Sequence, residues 1–452
     1  MKGVACAAPF AFVPGLASAS GPCDGASGST QPPTAPPRIH VERWSRHVDL
    51  RSRILELLSP TCIGDELMPG VRLLGASTEL GLRLTFSVGG AAIHVEVSLR
   101  DEGRAAAAHS ERLAFAYRAG PSAAPVAPRV GLALCRAVAA RAASREHAVL
   151  EGVRLDAAAA GSSLEGTARV REVTIARLLE PAGTPAAPYF TLSPYVGCLI
   201  GCRFCYAQAR VGSVRRLEGL PPAPWGSYVD VRVNAPAILA QELEALPPYP
   251  LKFCPIVSDP YHAVERRFEV TRGCLLAIRD AARPRATLVL TRAKLIERDA
   301  ALIASIPAGY GGVSIPTVDD DVRRHFEARG ASIAERLGAL DTLRRAGART
   351  FAIVQPLLPG DVLQLADALA ARVDSVRIDT LHGVENAAED FTAPAYAEAS
   401  DPRWQADRAL ALADALRQRG VAVWTGELPD ELVGVAEGPG RTDARPTLEP
   451  GS

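Results

Sequence analysis

Apolar and polar positions follow two different rhythms along this chain. A helical stretch around Val41 to Leu58 precedes two runs of strict alternation, Leu82 to Val88 and Ala92 to Leu99, split by Gly89-Gly90. Alternation interrupted by two glycines predicts a β-hairpin, and the Ala-rich segment Val130 to Ala143 predicts a helix. Together they suggest a small α+β domain over residues 40–150. From about 185 onward the rhythm changes to short continuous apolar runs at 190–196, 251–257, 286–291, 310–315, 350–355 and 375–380. Such runs suit strands buried on both faces of a parallel sheet. Helical segments accompany them: Pro236 to Leu246, Thr271 to Ala282, Glu297 to Ile306, Ile333 to Ala346, Leu363 to Ala371 and Trp404 to Arg419. Six strand–helix units over 185–425 predict an α/β domain, and right-handed crossovers make it either a doubly wound sheet or a barrel, complete or partial.

The remaining segments carry less pattern. Residues 1–38, rich in Ala, Gly, Ser and Pro, and residues 426–452, acidic and rich in Gly and Pro, are expected to be disordered tails. The stretch 151–184 reads as a linker. Lys2 with Ala17-Ser18-Ala19 copies a secretion signal superficially, but Pro9 and Pro14 break its apolar core, so none is expected. Composition narrows the function classes. The 452 residues hold 50 Lys+Arg against 50 Asp+Glu, which excludes binding to nucleic acid through bulk charge, though not through a local patch. A hydrophobic share of 48% can supply a core to each of two or three domains. Arg, Asp, Gly or Pro interrupts every apolar run before the ~20 residues that a bilayer requires. A protein of the cytoplasm with no membrane partner is the expectation. Nine cysteines, an odd number, agree with a reducing compartment. Cys6, Cys23, Cys62, Cys135 and Cys274 read as unpaired small apolar residues.

The sharpest chemical feature is the segment Ser193-Pro194-Tyr195-Val196-Gly197-Cys198-Leu199-Ile200-Gly201-Cys202-Arg203-Phe204-Cys205-Tyr206. Three thiols spaced C-x3-C-x2-C follow the first predicted strand on a Gly-punctuated loop. Soft thiolates select zinc, copper(I) or iron–sulfur clusters. A closed zinc site needs a fourth ligand, yet the next Cys is Cys254 and no His lies between 205 and 254. Three protein ligands leave one metal open to bind a small molecule. Ligands of parallel strand–helix folds sit beyond the carboxyl ends of the strands. Polar residues there include Ser258-Asp259, Thr291-Arg292, Ser314 with Thr317, Gln355, and Asp379, Thr380 and His382. Each also has a plainer reading as a turn or helix cap, Ser258-Asp259 and Thr317 to Asp319 above all.

The cysteine loop, with Phe204 before its last Cys, resembles the cluster-binding motif of the radical S-adenosylmethionine (radical SAM) superfamily. Its surroundings, from Ser193-Pro194-Tyr195 to Arg210, Trp225 to Pro236, and Ser258-Asp259-Pro260-Tyr261 with Glu265-Arg266-Arg267 and Thr271-Arg272, are similar to the branch related to spore photoproduct lyase. The likeness covers roughly 185–425. It implies a partial (β/α)6 TIM-type barrel preceded by the small α+β domain, and a 4Fe-4S cluster on Cys198, Cys202 and Cys205. It also implies an S-adenosyl-L-methionine pocket lined by Ser258, Asp259, Arg292 and Ser314, with Tyr206 contacting the adenine through its backbone. The implied activity, of lyase or oxidoreductase type, is reductive cleavage of the cofactor to methionine and a 5′-deoxyadenosyl radical that abstracts hydrogen from a substrate. A one-electron donor such as flavodoxin or ferredoxin would then be a partner. The likeness has gaps. Arg292 stands where that lyase has Lys, and Val257 where it has the Cys that returns hydrogen. Cys254 points to the opposite strand face unless a bulge at Pro255 re-aims it. No counterpart of a DNA-contacting hairpin is visible; Arg203, Arg210, Arg215 and Arg216 could touch phosphates, but scattered Arg near an active face is more often solvated or structural. The substrate therefore stays open among peptides, nucleic acid bases and small metabolites. A non-catalytic iron–sulfur accessory protein that keeps the scaffold is the alternative.

Overall fold

The computed structural model describes residues 50–78, 81–119, 127–160, 162–164, 169–184, 187–253, 256–381 and 387–433. Its first unit begins with helix α1 (Leu50–Leu55) and an antiparallel sheet of β1 (Glu66–Met68), β2 (Val71–Ser77), β3 (Arg83–Val88), β4 (Ala91–Leu99), β5 (Ala108–His109) and β6 (Leu113–Ala119), ordered β1-β2-β3-β4-β6-β5. The expected hairpin is β3–β4, and Gly89 and Gly90 both take positive φ, 55° and 84°, which side chains with a Cβ resist. Alternation then sorts the faces. Leu84, Phe86, Ile93, Val95 and Phe115 are fully buried in one core with Ile54, Leu134, Val138 and Leu150, the last three supplied by α2 (Ala127–Ala142) and α3 (Glu146–Ala160). Each such side chain contributes about 1.5–3 kcal/mol.

The stretch expected as a linker supplies β7 (Ser162–Leu164), β8 (Arg169–Val173) and β9 (Glu180–Thr184). Next come β10 (Ala187–Leu192), β11 (Tyr195–Val196), helix α4 (Ala207–Leu217) and β12 (Tyr228–Arg232). A small sheet is ordered β11-β12-β8-β7. Helix α4 belongs to both halves of the molecule. Its Leu217 and Val214 enter the core of the first unit, Ser213 Oγ donates to Glu102 (2.8 Å), and Arg216 pairs with Asp101 (2.9 Å).

The main sheet continues with β13 (Leu251–Phe253), β14 (Thr287–Thr291), β15 (Gly309–Ser314), β16 (Arg349–Val354), β17 (Ser375–Ile378) and β18 (Ala422–Trp424). Its order is β18-β17-β16-β15-β14-β13-β10-β9, parallel from β10 to β18, with β9 antiparallel at one edge. All six predicted strands are present. The sheet is open, and it carries a seventh parallel strand, β18, whose three residues are too short to register as an apolar run. Trp424, Leu428 and Leu432 are buried on the inner face with Tyr310 and Phe351, so the chain stays packed beyond residue 426. Lys252 Nζ fixes this end by donating to Glu427 (2.6 Å). The outer face buries Phe253, Val289, Val313, Ala352 and Val354 under α5 (Ala235–Ala245), α6 (Glu265–Phe268), α7 (Val270–Arg279), α8 (Ala300–Ser305), α10 (Ile333–Arg345), α11 (Val362–Ala370) and α12 (Pro402–Gln418), whereas α9 (Asp320–Phe326) packs Val322 and Phe326 with the cysteine loop. Asp319 caps α9 through the N–H groups of Asp321 and Val322, and Ser332 with Glu335 forms a capping box on α10. Thr317 and Asp319 thus take the plainer of their two readings. Among the described residues no helix is long and apolar enough to cross a membrane.

A buried polar web pins β11 to the helices behind it. Tyr195 Oη donates to Glu265, which also accepts from the Thr271 N–H (2.9 Å) and from Arg298 (2.6 Å). Arg272 and Tyr261 converge on Asp299. Beside this web His262 is 1% exposed, its ring edge-on to Tyr195 at 4.6 Å, and neither ring nitrogen has a hydrogen-bond partner among the described residues. Burial alone pushes its pKa down to about 3. Unfolded His binds a proton near pH 6.5 and the folded ring does not, so stability falls as pH drops from 6.5 toward 3. Relative to pH 7, His262 is expected to remove about 2 kcal/mol at pH 5. Urea unfolding of H262F at both pH values checks this: the variant is expected to lose that much less, and equal losses in the two proteins contradict the assignment.

Candidate functional site

The cysteine loop leaves β11 at Gly197, where φ is +82° and a Cβ would come 2.7 Å from the Tyr228 carbonyl oxygen. Only glycine fits there without displacing backbone. Gly201 is similarly close to the Cα of Gly226 and to Arg329, which donates to the Gly226 carbonyl (2.6 Å). Hydrogen bonds from several elements then fix the loop. The Gly197 N–H donates to Val257 O (3.0 Å) and the Arg203 N–H to Phe326 O (2.9 Å). Ser258 Oγ donates to Gly197 O, and Gln208 Nε2 to Arg203 O (2.6 Å) and Cys202 O (3.2 Å). Phe204 anchors the turn by packing on Phe326, ring centroids 6.1 Å apart.

This loop and the strand ends enclose a cleft of about 830 Å³, open solvent at its mouth included. All eight residues expected at the site line it: Cys198, Cys202, Cys205, Tyr206, Ser258, Asp259, Arg292 and Ser314, joined by Gln355. Their environments differ. Burial pushes the Cys198 thiol up to about 12 and also raises Cys202 and Cys205, against which Arg292 pulls the last two down. Asp259 is committed to scaffold: its carboxylate accepts from the Tyr261 N–H (2.8 Å), Thr291 Oγ1 (2.5 Å) and the Arg292 N–H (2.7 Å). Burial nevertheless raises its pKa. Ser314 is 1% exposed, and its Oγ is buried with no partner among the described residues. That orphan hydroxyl faces a cleft with nothing of the protein to satisfy it, which marks a place for a polar ligand atom.

Sequence reasoning missed the group behind the thiols. Glu327 is fully buried, accepts from Arg292 Nη1 and pairs with Arg336 (2.6 Å), itself 0% exposed. Cys202 Sγ lies 3.8 Å from the same carboxylate. Arg292 also donates to Gln355 O (3.1 Å) and lies over the Phe204 ring. The only available signal was position: Glu327 closes the helix after β15, at the edge that carries the other polar residues.

Other expected residues fall outside the cleft. Val257 is buried toward Ala207, Val211 and Tyr228. Arg203 pairs with Asp390, Arg215 stacks on Tyr228 at 4.0 Å, and Arg216 pairs with Asp101, so these three take structural roles. Cys254, Pro255 and His382 lie outside the described residues, as do Cys6 and Cys23. Cys135 and Cys274 are free and buried. Cys62 departs from expectation, being disulfide-bonded; spacing alone does not reveal a pairing. Among the described residues no three His, Cys, Asp or Glu side chains converge tightly enough to hold a single metal ion.

No family model matches the chain. It is 27% identical over 181 residues to an uncharacterised protein of Methanocaldococcus jannaschii, covering 40% of this chain and 64% of that one. It is 28% identical over 190 residues to an uncharacterised protein of Mycobacterium tuberculosis H37Rv, covering 40% and 53%. The chain thus spans between half and two thirds of the length of these curated relatives. Among solved structures, spore photoproduct lyase complexed with dinucleoside spore photoproduct overlaps with a TM-score of 0.41 at 17% identity, covering 56% of this chain and 80% of that one. SuiB of Streptococcus suis bound to S-adenosylmethionine overlaps at 0.28 and 12% identity, covering 38% and 36%. These overlaps are partial; what points to function is the set of residues around the cleft.

Proposed function

We propose that this chain is a radical SAM enzyme, with Cys198, Cys202 and Cys205 as ligands of a 4Fe-4S cluster and the adjoining cleft as the site of S-adenosyl-L-methionine. One observation carries the reading: three buried thiols share a cleft with an orphan Ser314 hydroxyl and the other residues read from the strand ends. The donor set fits the group. In such a cluster each thiolate binds a different iron, so three thiols need not meet at one point. Burial holds the thiols protonated, and a metal would take the place of those protons. Bound together, cluster and cofactor supply one-electron reductive cleavage at a sulfonium and, through it, hydrogen abstraction from a substrate.

The chain's own residues supply binding, orientation and dryness. Ser314 Oγ offers one donor and two acceptor positions to a ligand. Arg292, held by Glu327 on one side and Gln355 O on the other, presents a fixed positive charge suited to a carboxylate. Asp259 locks the backbone at Arg292, and Ser258 ties that strand end to Gly197. Ile200, Phe204, Leu290 and Ile353 line the cleft with apolar surface that keeps water from a reactive intermediate. A flavodoxin- or ferredoxin-type protein would deliver the electron.

The test is direct. Anaerobically reconstituted protein, reduced with dithionite in the presence of S-adenosyl-L-methionine, is expected to form 5′-deoxyadenosine. S314A is expected to weaken cofactor binding about three- to tenfold, the worth of one hydrogen bond. Fully loaded protein that yields no 5′-deoxyadenosine overturns the reading.

A further inference from the structure

The cleft does not end at the mouth of the sheet. Tyr206, Gln355 and Arg377 line both it and a much larger groove, about 2780 Å³ with open solvent included. The far wall of that groove is the N-terminal unit. Cross-strand pairs His94↔Arg118, Glu96↔Ala116 and Ser98↔Ala114 share one face of β4 and β6, because side chains alternate along a strand. The opposite face, with Val95 and Phe115, is the one buried under the helices. Small side chains at Ala114 and Ala116, and Gly81 nearby, leave the wall open.

Arginines gather on this wall, while Asp379 and Glu427 line the groove with Arg377 on the side of the parallel sheet. Arg104, Arg118 and Arg210 line the groove, and Arg83 interacts electrostatically with both Arg118 and Arg210. Glu96 serves several of them, pairing with Arg118 (2.5 Å) and pulling on Arg83 and Arg210. Glu102 beside Arg104 (2.9 Å) is shared with Ser213. Burial first, then the neighbouring guanidinium groups, lower the pKa of Arg83 and Arg210, although Glu96 opposes them. Three guanidinium groups thus share one carboxylate, Glu96, on the groove wall, and Glu102 holds Arg104 from the side. The position is also telling. The Arg210 guanidinium lies 5.4 Å over the ring of Tyr206, a residue that lines both cavities.

We infer that this groove is the substrate site and that the substrate carries an anionic group, phosphate or carboxylate, seated among Arg104, Arg118 and Arg210, with the rest of the molecule reaching past Tyr206 into the cleft. Guanidinium forks match either group bidentately. The inference rests on the proposed function for what happens in the cleft; the anion site itself does not. Calorimetric titration of tripolyphosphate and of citrate into the full chain, without reductant or S-adenosyl-L-methionine, tests it. At least one probe is expected to bind at one site per chain, more weakly as salt rises, with affinity falling about tenfold in R118Q and R104Q. R216Q, whose partner Asp101 lies outside the groove lining, is the control and is expected to bind as the parent does. Which probe binds tells phosphate from carboxylate. Binding of neither probe, or equal weakening by R216Q, overturns the groove assignment whatever the cleft does. Anion binding as expected, in a loaded protein that forms no 5′-deoxyadenosine, instead removes the reading of the cleft.

Discussion

Replacing Cys198, Cys202 or Cys205 singly by Ala is expected to leave anaerobically reconstituted protein colourless and without bound cluster iron. The three thiols line the cleft together, and the two carboxylates beside them are already engaged, Glu327 by Arg292 and Arg336 and Asp259 by Thr291 and the Tyr261 and Arg292 N–H groups. No replacement donor stands ready. Because the three side chains border a cavity, their loss removes little packing, so the variants are expected to unfold at nearly the parent's urea midpoint, within about 1 kcal/mol. Iron content and visible absorbance read the first effect, and circular dichroism with urea reads the second. Any one of the three variants holding a full complement of iron would sink the ligand assignment.

The second large effect lies in the charge group behind the thiols. Removing Glu327 by substitution with Ala leaves Arg336 and Arg292 buried without their carboxylate. Breaking a buried pair by deleting one partner costs about 3–5 kcal/mol, because the surviving charge stays desolvated. Burial pushes the Glu327 pKa up, but Arg292 and Arg336 together bring it below its ordinary value, so the group is an anion throughout the physiological range. E327Q keeps the size and part of the hydrogen bonding but not the charge, and is expected to fall between parent and E327A in urea unfolding. A loss below about 1 kcal/mol in E327A, the level of an exposed pair, would show that the group is solvated.

The parts legible in the sequence share a physical cause. Strands buried on both faces read as continuous apolar runs, which is why six of the seven parallel strands stood out, while Ala422–Trp424 was too short. The hairpin β3–β4 announced itself through two glycines that its turn requires. Strand β6, Leu-Ala-Phe-Ala-Tyr-Arg-Ala, carries no β-branched residue and stayed hidden. At the site, the cysteine spacing is local and so was visible. Glu327 meets Cys202 across 125 positions, and Arg336 meets Glu327 only because α9 and α10 fold back on each other, a contact that neither periodicity nor spacing encodes. Asp259, a pocket residue by its place at a strand end, borders the cleft and spends its oxygens on two backbone N–H groups and the Thr291 hydroxyl.

Helix α4 starts directly after the third thiol and its adjoining Tyr206, and it ends inside the hydrophobic interior of the N-terminal unit through Val214 and Leu217. The two halves of the molecule are therefore mechanically joined through this rod, beside the Arg51–Glu180 ion pair (3.5 Å). A force that shifts the antiparallel sheet has a direct route along that rod to the thiols, and trimming the chain to its parallel-stranded half would strip Leu217 of its cover and unseat the loop it steadies.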